Sequence, residues 1–299
     1  MPRVPEGDFR IGLLCLFGSV LLLSSAWPLT KLAVQLGTTP LWFAESRAVL
    51  SGLVTAGLLA GAGRLRWPSR TDLPAVLTVG VFQVGLFFVF SHVAVAWVPA
   101  GRTAVLANTT TYYVAPLSML VLGERVPPLR WFAAGLGVAG VAVLIGPWAV
   151  DWSSRPVLIG HAFLLLAGLA FAVSIVTLRA MPPRAPMFEL LPWCFLIASV
   201  VILPLLLGEA PGGTLGTRAL GWLGILYVGL VASPLGTWGI LEATMRLPTV
   251  VSSVGFLLTP AVGLVLSNLM LGEPITPDLL AGSALIVGGV GLAALPGRA

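Results

Sequence analysis

The side chains able to do chemistry in this sequence are polar residues set inside long apolar runs. The densest group is Asn108-Thr109-Thr110-Thr111-Tyr112-Tyr113. Asn108, Thr111 and Tyr112 stand three and four residues apart, so in a continuous helix they share one face. Such a face offers hydrogen bonds and an aromatic platform to a solute. Thr109 and Thr110 suit a packing role instead, their hydroxyls bonding to the preceding turn or across helices. Gln83, with Phe87 four residues on, is a second candidate for direct solute contact. Further candidate lining residues are Tyr227, Trp238, Ser252 and Ser253, and Ser24, Trp27 and Ser174. His92 is a candidate for gating or proton coupling, although a lone histidine near a helix end commonly has a structural role. Pro28, Pro116 and Pro260 are candidate kink points for gating.

Catalytic chemistry is poorly provided for. There is no His-Glu-x-x-His and no Gly-x-Ser-x-Gly, and the only histidines are His92 and His161. Cys15 and Cys194 lie in separate apolar runs without metal-ligand spacing. No catalytic residue, metal site or cofactor is expected, and an enzyme is the weakest of the rival functions. The net charge of +5 comes from basic residues scattered among connecting segments. That distribution suits membrane topology and not nucleic-acid binding.

Those polar groups need a scaffold, and the composition says which. Of 299 residues, 58% are hydrophobic and 9% charged, whereas a soluble domain carries about 25% charged residues. The apolar runs reach the length of about 20 residues that crosses a bilayer as helix, without the alternation of membrane strands. The sequence predicts ten spans. They are Ile11–Val34, Leu41–Ala62, Leu73–Val95, Ala100–Leu122 and Leu129–Ile145, then Val157–Ala180, Met187–Leu207, Ala219–Ala243, Thr249–Leu271 and Pro277–Leu295. The first is too long for a signal-peptide core and is read as a retained span.

Basic residues set the expected orientation. With the N-terminus inside, eleven of them (Arg3, Arg10, Arg64, Arg66, Arg70, Arg125, Arg130, Arg179, Arg184, Arg246 and Arg298) fall on the cytoplasmic side. Only four, Lys31, Arg102, Arg155 and Arg218, fall outside. Both termini are therefore expected in the cytoplasm. Arg47 lies within a span and is expected to snorkel or to bind carbonyls of a neighbouring helix. Glu45, two residues away, should point to another face. With no lysine or arginine expected at clear mid-depth, a neutral or zwitterionic solute fits better than a phosphorylated one.

A shift of 149 residues lays Leu122-Gly123-Glu124 on Leu271-Gly272-Glu273. It also aligns Pro99 with Pro248, Ser118 with Ser267, Pro128 with Pro277, and Pro147 with Pro296. The chain thus reads as two repeats, 1–150 and 151–299. Five spans are an odd number, so the second copy enters the membrane inverted, the organisation of many secondary transporters.

The doubled pattern, with Pro99 and Leu122-Gly123-Glu124-Arg125 in one half and Pro248, Pro260 and Leu271-Gly272-Glu273-Pro274 in the other, resembles the EamA-type domain of the drug/metabolite transporter superfamily. Arg47 in the second span belongs to the same resemblance. Two departures are Thr111, which stands opposite Pro260, and Trp27-Pro28 where many relatives have Trp-Gly. The resemblance implies an all-α membrane protein of ten transmembrane helices in two inverted five-helix repeats, in a bacterial cytoplasmic membrane. It implies export of amino acids, other small metabolites or drugs by alternating access through a central cavity. The expected partners are a small-molecule substrate and the lipid bilayer, with a proton gradient as a candidate driving force; oligomeric state is left open. The alternative is a facilitative channel or uncoupled pore.

Overall fold

A computed structural model of the chain describes residues 6–123, 128–145, 148, 151–208, 212–247, 255 and 258–294. Helices account for all regular structure among the described residues. We number them by span. In the first half these are α1 (Glu6–Gln35), α2 (Pro40–Gly61), α3 (Leu73–Trp97), α4 (Ala100–Leu122) and α5 (Pro128–Ile145). The second half has α6 (Arg155–Ala180), α7 (Met187–Gly208), α8 (the consecutive stretches Ala219–Leu226, Tyr227–Ala232 and Ser233–Arg246), α9 (Leu258–Leu271) and α10 (Pro277–Ala294). Seven of them contain described stretches long and apolar enough to cross a bilayer; α5, α9 and α10 contribute shorter apolar helices. The expected start of the ninth span at Thr249 lies outside the described residues.

The packing is twofold-symmetric in its pattern. α2 packs on its repeat mate α7, α4 on α9, and α5 on α10. The contact of α1 with α8 is answered by that of α6 with α3, and α1 on α9 by α6 on α4. The local structure repeats as well. π-helical turns occupy Val79–Leu86 in α3 and Tyr227–Ala232 in α8. Adding 149 to residues 79–86 gives 228–235, so the two wide turns overlap in the repeat, over 228–232. Such turns insert a residue into the helix and are frequent at functional sites.

The Leu-Gly-Glu motif has a mechanical reading. Gly123 and Gly272 close α4 and α9 with φ of 65° and 67°, a left-handed conformation that glycine adopts without a Cβ clash. Glu273 then crosses to the other half, its carboxylate accepting the backbone N–H of Ala100 at 2.7 Å and of Gly101 at 2.9 Å. It caps two of the four orphan donors at the start of α4. Lys31 of α1 closes the neighbouring helix end, donating to the carbonyls of Val95, Ala96 and Val98 at 2.7, 3.2 and 3.2 Å. Arg102 lies in the first turn of α4, within the expected span. It pairs with Asp278 of α10 at 2.9 Å and donates to the Leu144 carbonyl of α5.

The two halves are also tied at both ends. Asp72, ahead of α3, accepts the backbone N–H groups of Arg184 and Ala185, ahead of α7. At the opposite end, Thr39 donates its N–H to the Thr214 carbonyl and Thr38 its hydroxyl to that of Leu215. These ties are repeat mates: the α2–α3 connection on α6–α7, and the α7–α8 connection on α1–α2.

Candidate functional site

An interior cluster forms where α1, α3 and α6 meet. The Phe87 ring stands edge-on to Trp27 of α1 with centroids 6.3 Å apart, and edge-on to Phe171 of α6 at 5.4 Å. All three rings are half-buried. One turn along α3, within the π-helical stretch, the Gln83 Oε1 accepts the hydroxyl proton of Ser174 at 3.0 Å. An amide oxygen has two lone pairs, so Gln83 keeps capacity for another donor. On the α8 side, the Ser25 and Tyr227 hydroxyls bond at 3.0 Å. Ser25 and Ser174 are repeat mates, so each half contributes a serine from its first helix to the third helix of the other half.

Asn108 sits at a break in α4. The helix runs Ala100–Ala107, turns through Asn108 and Thr109, and resumes as Thr110–Leu122. Asn108 is half-buried, and its Nδ2 donates to the Ala104 carbonyl at 2.7 Å. One turn before Asn108, the Ala104 methyl packs at Gly263 of α9, which also faces Trp27. Thr109 and Thr110 turn their hydroxyls back to Leu106 and Ala107 carbonyls. Discontinuous helices of this kind mark solute sites in transporters.

The structure corrects several expectations. Tyr112 does not share the wall with Asn108. Its ring lies against Gly137 of α5 and its hydroxyl donates to the Ile286 carbonyl of α10 at 2.5 Å. The break in α4 removes the continuous 3.6-residue register that would have put the two on one face. Trp238 is 41% exposed and continues the exposed apolar stripe of Leu223, Leu226 and Leu235, while Gly236 and Gly239 of the same helix face α1. Ser24 is fully buried and spends its hydroxyl on the Thr259 carbonyl of α9. Ser252, Ser253 and the Thr111 side chain lie outside the described residues. Pro28 lies inside α1 and Pro116 inside the second part of α4; Pro260 is buried in the first turn of described α9.

Arg47 departs furthest from expectation. It does not snorkel, and among the described residues it binds no carbonyl. It is 9% exposed, its Nε donates to the Ser233 hydroxyl of α8 at 2.8 Å, and its guanidinium carbon stands 4.3 Å over the Phe88 ring. His92 packs on the same ring at 5.3 Å, on Phe43 at 5.5 Å, and bonds the Phe88 carbonyl through Nδ1. Glu45 turns the other way, to the Ser199 hydroxyl of α7. Sequence reasoning missed Phe171 and Phe88, which carry no signal beyond being apolar residues in apolar helices.

A helical bundle with a repeated packing pattern, and polar and aromatic groups where its halves meet, is a build found among membrane transporters. The sequence matches the model of the EamA-like transporter family twice, over residues 10–146 and 158–295, and the chain belongs to that family. It is 26% identical over 269 residues to a probable terminal-alkyne amino-acid exporter of Streptantibioticus cattleyicolor, covering 89% of this chain and 88% of that one. It is 29% identical over 258 residues to a probable amino-acid metabolite efflux pump of Salmonella typhimurium, covering 80% and 84%. A crystal structure 22% identical in sequence matches with a TM-score of 0.62 over 94% of this chain and 96% of that one, which shows a shared fold.

Proposed function

We propose that this transporter exports small organic metabolites, amino acids or similar neutral and zwitterionic solutes, by alternating access between its two halves. The observation that carries the reading is the cluster of Trp27, Gln83, Phe87, Phe171 and Ser174, built by α1 and α3 of one half and α6 of the other. A hydrogen-bonding amide beside aromatic faces suits a small amphipathic solute. Asn108 at the broken α4 joins it. Relatives named as amino-acid and metabolite exporters support the solute class.

In this reading residues 1–150 and 151–299 are the two moving units, and Pro28, Pro116 and Pro260 loosen the helices between them. A proline removes one backbone hydrogen bond of its helix. The basic-residue bias supports cytoplasmic termini in a bacterial inner membrane. Outward movement of the solute draws either on its own gradient or on protons. His92 is the proton-coupling candidate on α3, and a pH gradient across the membrane separates the two cases. Gln83→Ala in proteoliposomes should cut solute exchange at least about tenfold, the scale of one lost hydrogen bond to a charged group. Unitary currents through the purified protein would favour a pore instead.

A further inference from the structure

Arg47 begins near one end of α2, seven residues after Pro40, but its charge is carried inward. The Ser233 hydroxyl that receives its Nε lies at the midpoint of the α8 stretch 219–246. The guanidinium therefore stands deep in the bundle, between α8 and the Phe88 ring of α3. A charge at such depth is costly, and those retained commonly mark a solute or ion path. Arginine does not escape the cost by losing its proton.

Among the described residues Arg47 has no carboxylate partner, and its terminal nitrogens have no hydrogen-bond acceptor. The nearby acid on its own helix, Glu45, is committed to α7. Serine and a ring face satisfy one nitrogen and one surface of the guanidinium. The remaining fork has the spacing that pairs bidentately with a planar carboxylate. One cation in apolar surroundings balances one negative charge. A phosphate, with nearly two, would be left in excess.

Building on the solute class proposed above, we propose that Arg47 is the carboxylate-binding residue of the transporter. The solute's carboxylate sits on the Arg47 fork. Its remainder extends along α3 toward Phe87 and Gln83, where the free lone pair of Oε1 accepts an ammonium or amide hydrogen. The pair of contacts makes a zwitterion the preferred cargo and discriminates against the same molecule with its carboxylate masked.

The test uses the full-length protein purified in detergent, with thermal stabilisation read against the common amino acids and their C-terminal amides. The expected result is stabilisation by at least one amino acid and not by its amide, lost in Arg47→Gln and kept in weakened form in Arg47→Lys. The Gln variant should bind at least about tenfold more weakly. Equal stabilisation by acid and amide, no stabilisation across the panel, or undiminished binding in Arg47→Gln would each overturn the assignment. Should the Gln variant fail to fold, the acid–amide contrast in the parent and in Arg47→Lys decides alone. Counterflow in proteoliposomes separates this from the functional reading. Carboxylate-dependent binding with silent counterflow keeps the Arg47 site and removes the transport reading; counterflow blind to the carboxylate does the reverse.

Discussion

Individual side chains here divide into those that hold the bundle and those left with unused capacity. Tyr112 belongs to the first kind: Gly137 and Gly289 make room for its ring and hydroxyl, and Ile286 accepts its proton. Tyr112→Phe should therefore lower stability by about 1 kcal/mol, read as a small drop in thermal midpoint, and leave solute exchange unchanged. Gln83 belongs to the second kind. Ser174→Ala removes its only described partner and should alter the apparent solute affinity while the thermal midpoint moves little, as counterflow over a concentration series would show. The sequence pointed to Gln83, Phe87, Trp27 and Ser174 because polar or aromatic residues at mid-span stand out against apolar surroundings. It misplaced Tyr112 because a helical face was projected across Asn108 and Thr109, where the helix is interrupted. Arg47 was misread because its partner Ser233 lies 186 residues away, beyond anything local spacing encodes.

Helix pairs depend on small residues and on caps supplied by the opposite half. At the α5–α10 contact, a Cβ on Gly140 would stand 2.8 Å from the Gly282 carbonyl, and one on Gly282 would stand 2.5 Å from Leu144. Close approach of this kind lets helices associate in lipid, where apolar burial gives no drive. Gly140→Val should cost about 1–3 kcal/mol through overpacking, whereas Gly135→Ala, with nothing within 4 Å, should be neutral. Thermal unfolding of the two variants side by side checks this. Glu273→Ala should cost about 1 kcal/mol, the usual worth of an N-terminal cap, and Glu273→Gln less because one acceptor survives. The repeat of Leu-Gly-Glu was legible in sequence, and so was its place at helix ends. Its capping partner was not, since Ala100 and Gly101 are 173 and 172 residues from Glu273.

At the scale of the molecule, the ties between halves set how the bundle responds to its surroundings. Asp72 lies in the connection ahead of α3, where the Ser69 hydroxyl and then the Ala185 and Arg184 N–H groups hold its carboxyl below the usual range. A depressed folded value contributes stability above the ordinary carboxylate pKa of about 3.9, lost only as pH falls through the lower folded value. The tie should thus survive mild acid, and Asp72→Asn should flatten the acid limb of a stability–pH profile below about pH 4. The ten spans and their doubling were readable because hydrophobic runs and repeated Gly-Glu and Pro positions are one-dimensional signals. The rotation of each helix was not, which is why Trp238 was placed by depth alone, with no reading of the 41% exposure it has in the bundle.

The central claim is that two inverted halves carry a small zwitterionic solute between them. The most direct measurement is counterflow in proteoliposomes holding the purified chain, preloaded with unlabelled amino acid and offered trace label outside, with and without a pH gradient. The expected result is a transient, saturable overshoot of label for one solute class, lost in Gln83→Ala. Label entry that is non-saturable, or unaffected by preloading, would contradict a carrier.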